Sequence, residues 1–269
     1  MRIIERVLVF LKIDFQNWIY TLSSLVTICI EVLIDNIIFL LILLSYKNVL
    51  SMYIENYTNY VLIGLLVYDI LMTIEKALYS ALQRGYWNCI FDAILFAPNS
   101  FLPYVISHLI ENLLLSTIRA IILVLSFFLL FGLTLKFKVI DLVLAFLVTI
   151  LSIIAMVGLG LIEASTFILT NSKRGSPLSH LLDFVIKILS GAYIPLQLIP
   201  AYIRLVSYFL PHTYIIELYR YIFLGTSINV NLFLQVLTVQ SLTLIILGYM
   251  LFKLALRRAR ENASLLLWI

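Results

Sequence analysis

Charge is what this sequence has least of. Only 12% of its 269 residues are charged while 63% are hydrophobic, and the mean hydropathy is +1.11. A soluble domain carries about a quarter charged residues and at most about half apolar ones. So little polar surface excludes a globular protein in water, and the expected fold class is an all-α integral membrane protein. Cysteine is scarce as well. There are two, Cys29 inside an apolar run and Cys89 in an expected cytoplasmic loop. They are not expected to meet, so no disulfide is expected, and no Cys/His spacing suggests zinc or another metal. The three histidines, His108, His180 and His212, are far apart. They read as polar tips at membrane boundaries rather than as ligands or bases. Catalytic signatures are missing too: there is no G-x-x-x-x-G-K-[ST], no H-E-x-x-H and no G-x-S-x-G. The net charge of +4 does not argue for nucleic acid, because in a membrane protein Lys and Arg mark the cytoplasmic side.

What the chain does have is apolar runs. A span needs about 20 mostly apolar residues, and six are read: 22–44, 60–82, 101–131, 142–168, 181–194, which is broken before Pro195, and 232–256. They form one transmembrane domain over 1–269, without internal repeat or long linker. Residues 1–20 carry Arg2, Glu5, Arg6, Lys12 and Asp14, which argues against a cleaved signal peptide. Their apolar residues Ile4, Leu8, Leu11, Phe15 and Trp18 form a helical stripe, which predicts a helix lying in the interface; a disordered cytoplasmic tail is the alternative.

Basic residues set the orientation. One side gathers Arg2, Arg6, Lys12, Arg84, Lys173, Arg174, Lys253, Arg257, Arg258 and Arg260; the other has Lys47, Lys136, Lys138, Arg204 and Arg220. The richer side is cytoplasmic, so both termini are expected there. Residues 195–220 then lie outside. Three of the chain's six prolines, Pro195, Pro200 and Pro211, fall in that stretch and interrupt regular helix. Freed backbone groups cannot face hydrocarbon. A re-entrant helical hairpin at the outer leaflet is therefore expected, an amphipathic outer loop being the alternative. Tyr193, Tyr202, Tyr208, Tyr214, Tyr219 and Tyr221 suit interfacial depth. Glu217 and Arg220, three apart, are expected to fix the hairpin to the start of the sixth span.

Ionisable residues at membrane depth are costly and usually paired or functional. Glu31 and Asp35 share a face near the middle of the first span. They either line a translocation path, or pair with Arg119 or hold helices together, or are buried where two copies of such a chain meet. Asp183 and Lys187 are placed to pair within one helix, and Glu111 and Glu163 also fall at depth.

The spacing Gly191, Pro195, Pro200, Tyr202, Pro211, Tyr214, Glu217, Arg220 resembles the signature of type-2 ABC export permeases. The six-span layout, interfacial N-terminal helix and basic tail fit the same family. In that family the loop after the second span carries a coupling helix. Here it would be 84–98, with Arg84, Trp87, Phe91, Asp92 and Pro98; Asp92 stands where glutamate is usual, and Gly85 lies about one turn upstream of the usual place. The segment also has an apolar face at helical spacing, so a helix floating on the lipid surface is the alternative. The resemblance implies a permease subunit of an ATP-driven exporter in the plasma membrane, moving a drug, lipid or glycolipid out of the cytoplasm. It implies a second permease as homo- or heterodimer partner and a separate ABC ATPase. No cofactor would sit on this chain; ATP and Mg would belong to the ATPase. A secondary transporter or channel, an intramembrane enzyme and a non-transporting membrane subunit are the other readings.

Overall fold

The computed structural model describes residues 3–20, 30, 57–88, 90, 101–131, 141–170 and 177–261. Among these the regular structure is helical: α1 (Ile3–Tyr20), α2 (Tyr57–Trp87), α3 (Phe101–Phe131), α4 (Asp141–Thr170), α5 (Pro177–Leu189), α6 (Ala201–Ser207), α7 (Pro211–Leu224) and α8 (Val230–Glu261), with a 3-10 turn at Leu196–Leu198. Three of them hold stretches long and apolar enough to cross a membrane: Phe101–Leu129, Leu142–Thr170 and Val230–Arg258. The first expected span, 22–44, lies outside the described residues apart from Ile30.

α2 is the central element. At 31 residues it is about 46 Å long. It packs on α3, α4 and α7, and α4 packs along α8. The core sits where α2, α4, α7 and α8 meet: Ile63, Val67 and Leu71 against Ala155, Met156, Ile215, Ile216 and Leu237. Lipid is as apolar as these side chains, so such helices associate through close packing and polar contacts rather than hydrophobic burial. Small residues permit the close approach. A Cβ at Gly158 would lie 2.6 Å from the Leu244 backbone, so α4 and α8 cross backbone to backbone there.

α1 presents two faces. Val7 is buried, and Phe10 packs edge-on against Tyr104 of α3 with ring centres 5.5 Å apart. Ile4 and Leu8, the start of the apolar stripe, point away and are exposed.

Helix α2 runs past the expected end of its span. Hydropathy falls at Gln83 and Arg84, but a drop in hydropathy does not stop a helix whose polar residues find partners. Arg84 and Trp87 therefore stand in its last turn. After α5 the chain leaves helix at Ser190 and Gly191. Each proline that follows sits at a start rather than inside a helix. Pro195 precedes the 3-10 turn, Pro200 caps α6 and Pro211 lies in the first turn of α7. A missing N–H costs nothing there, because first-turn donors lack helical partners anyway.

Candidate functional site

Arg220 of α7 has no exposed surface. A buried guanidinium is costly unless its donors are matched, and here each of its nitrogens donates. Nε donates to the Tyr60 carbonyl (3.0 Å), Nη1 to Glu217 Oε1 (2.8 Å), and Nη2 to the carbonyls of Gly191 (2.9 Å) and Ala192 (3.2 Å). The guanidinium carbon lies 3.5 Å from the centre of the Tyr60 ring, a cation–π contact. The Tyr60 hydroxyl donates to the same Glu217 oxygen at 2.8 Å. One side chain thus joins α7, the N-terminal end of α2 and the turn after α5.

The backbone is shaped to admit it. Gly191 takes φ +81°, which turns its carbonyl and that of Ala192 toward Arg220. A Cβ at Gly64 would overlap Arg220 Nη2 and come within 2.7 Å of the Ala192 carbonyl. Glu217 and Arg220 therefore fix this segment to α2 and not, as their spacing suggested, to the start of α8. A sequence shows which residues share a face but not which helix that face meets.

A second anchor does reach α8. The Tyr208 carbonyl, just after α6, accepts from the Tyr214 hydroxyl and from Gln240 Nε2, both at 3.1 Å. The Tyr214 ring packs edge-on against Phe233, with ring centres 5.2 Å apart. The tyrosines do not all share one depth or role. Tyr202 is exposed, Tyr214 is buried, and the Tyr219 hydroxyl lies 2.7 Å from that of Thr149 on α4.

Down its length α2 offers polar partners to α3, α7 and α5. Asp69 pairs with Arg119 of α3 at 3.1 Å and accepts from Ser116. Glu75 lies 2.8 Å from His212 of α7. Lys76 pairs with Asp183 of α5. Arg84 donates to Glu111 of α3 at 2.6 Å, and His108 reaches the same carboxylate at 3.1 Å.

This ladder corrects the expectations for Asp183 and for two of the histidines, and it gives Arg119 a partner. Asp183 pairs across helices with Lys76, while Lys187 lies 5.8 Å from the Tyr193 ring centre. Arg119 is engaged by Asp69, a residue within its reach on the packed face of α2. His108 and His212 are buried beside carboxylates rather than exposed as polar tips; of the three histidines only His180 is exposed. Glu31, Asp35, Phe91, Asp92 and Pro98 lie outside the described residues. The site residues that sequence reasoning passed over are Tyr60, Gly64, Asp69, Glu75 and Lys76. The signal for the last three was present, since each is an ionisable residue inside a span.

Residues 6–224 match the family described as ABC-2 type transporter. The chain belongs to that family. A search of curated proteins gives no match to it. As an ABC-2 transporter chain it is a membrane subunit, of a family that is not itself an ATPase and normally works with an ATPase subunit. The matched part ends where α7 ends, so it takes in the Arg220 node and every pair made by α2, and leaves α8 beyond it.

Proposed function

We propose that this chain is the permease subunit of an ATP-driven exporter, carrying a hydrophobic or amphipathic molecule out of the cytoplasm. The ABC-2 match over residues 6–224 carries the reading. These 269 residues contain no phosphate-cradling loop, so ATP is bound and hydrolysed on a partner ABC ATPase, with Mg. Two permeases pair, and closure of the ATPases rocks them between inward- and outward-facing states.

Residues 84–98 form the contact with the ATPase. Arg84 and Trp87 at the cytoplasmic end of α2 support this, because a push on them is delivered to the helix that bears the polar ladder. Residues 195–220 form a re-entrant hairpin on the outer side. Its attachment to α2 through Arg220 then links the cytoplasmic contact to the outer gate along one helix. The protein sits in the plasma membrane with both termini in the cytoplasm. An apolar cavity of about 640 Å³ between α2, α3, α4 and α7, lined by residues such as Leu66, Ile70, Ile121 and Phe223, supports an apolar cargo. Its volume suits a drug-sized molecule.

Copurification is the test. The tagged chain, isolated in mild detergent, should bring down an ATPase whose hydrolysis is stimulated by apolar candidate substrates. A chain that transports in vesicles without any ATPase would sink the reading in favour of a secondary transporter.

A further inference from the structure

Besides Arg220, three ionisable side chains from three helices have no exposed surface: Glu75 of α2, Glu163 of α4 and His212 of α7. His212 Nε2 lies 2.8 Å from Glu75 Oε2, off hydrogen-bond alignment, and its Nδ1 has no partner. Neither carboxylate oxygen of Glu163 makes a hydrogen bond of sound geometry, although Ser179 of α5 lies alongside. Among the described residues, the charged groups near Glu163 are Glu75 and Lys76 from α2 and Asp183 from α5. Helix α8, packed along α4, turns Gly248 and Ala255 to it, while its Lys253 is exposed.

Counting charges leaves one acid over. Lys76 is matched by Asp183, and His212 is the base beside Glu75. Among the described residues Glu163 then faces two acids, and the lysine near it is taken by Asp183. An ionised carboxylate without partner or water is too costly at such a place and takes up a proton instead. We propose that Glu163 is a proton-binding site, holding one proton in the conformation described.

The site is closed by α2, α5 and the first turn of α7. The proton stays only while those elements remain packed on α4. A shift that admits water, or frees Lys76 from Asp183 to swing toward Glu163, releases it. Proton occupancy is thereby linked to the packing of α5 and α7 on α4. This inference concerns the chain alone and does not depend on the transport reading.

Infrared spectroscopy of the purified full-length chain tests it. Wild-type protein should show the carbonyl stretch of a protonated carboxylic acid. The band should disappear in Glu163→Gln, persist in Glu75→Gln, and fade in wild type as pH is raised far enough to strip the site. A band untouched by Glu163→Gln, or removed by Glu75→Gln instead, overturns the proposal. So does a Glu163→Gln chain that cannot fold, since the amide imitates the neutral acid.

Discussion

Arg220 Nη1 lies 2.8 Å from Glu217 Oε1, one turn away on α7, and both side chains close on Tyr60 of α2. The pair is intrahelical in sequence but works between helices. Glu217 neutralises a guanidinium whose other donors are spent on the backbone of two other segments. Removing either residue leaves buried groups unmatched, which is why the node governs the placement of the segment from Gly191 to Leu224.

Arg220→Ala should destabilise the chain by about 3–5 kcal/mol, the usual cost of breaking a buried pair from one side. Arg220→Lys should lie between that variant and wild type, since an ammonium keeps the charge but lacks the planar fork. Thermal unfolding of purified protein measures both. Assembled with the proposed ATPase, Arg220→Ala should lower transport more than ATPase retention; normal transport at normal expression would show the Arg220 node to be dispensable for transport.

Gly64→Ala should reproduce part of the same defect. The new methyl occupies the space of Arg220 Nη2, and overpacking of this kind costs about 1–3 kcal/mol. Because both changes act on one contact, the double variant Gly64→Ala with Arg220→Ala should be less destabilised than the sum. Additive losses would place Gly64 outside the node.

Asp69→Arg and Arg119→Asp should each lower stability by about 1 kcal/mol or more, and the exchanged pair should recover most of it. Both residues keep about a third of their surface exposed, at 34% and 35%, which leaves room for the swapped side chains. Failure of the swap to recover anything would show that the surrounding hydroxyls, Ser116 and Thr73, set the polarity of this contact.

Trp87→Ala with Phe91→Ala should weaken ATPase retention by about tenfold or more, the loss expected for two aromatic anchors. Asp92→Ala should leave the complex assembled but poorly stimulated by substrate. The measurement is ATPase recovery on an affinity column beside stimulated hydrolysis. Full retention by the double variant would remove 84–98 as the coupling element.

Single cysteines at Ser172 and Ser264 should be shielded from an impermeant thiol reagent in intact cells, while one at Asn229 should react. Asn229 is exposed in the connection between α7 and α8, so access to it depends on sidedness rather than packing. Labelling at Ser264 from outside would reverse the orientation.

Composition alone determined that this chain belongs in lipid. With 12% charged residues the main solvent is lipid, and continuous apolar runs of about 20 residues there fit helices, which satisfy every backbone group internally. The Gly191 to Arg220 spacing was equally legible, because prolines and a positive-φ glycine act locally and leave a local trace. Partner choice was not. The sequence offered Lys187 to Asp183 one turn away, yet the bundle gives it Lys76, more than a hundred residues earlier. It suggested an exposed polar tip for His212, and the bundle buries it against Glu75. Spacing along one helix fixes only which side chains share a face. Which face meets which neighbour is decided when the helices pack, and in a medium without water each buried charge takes the partner that packing brings within reach.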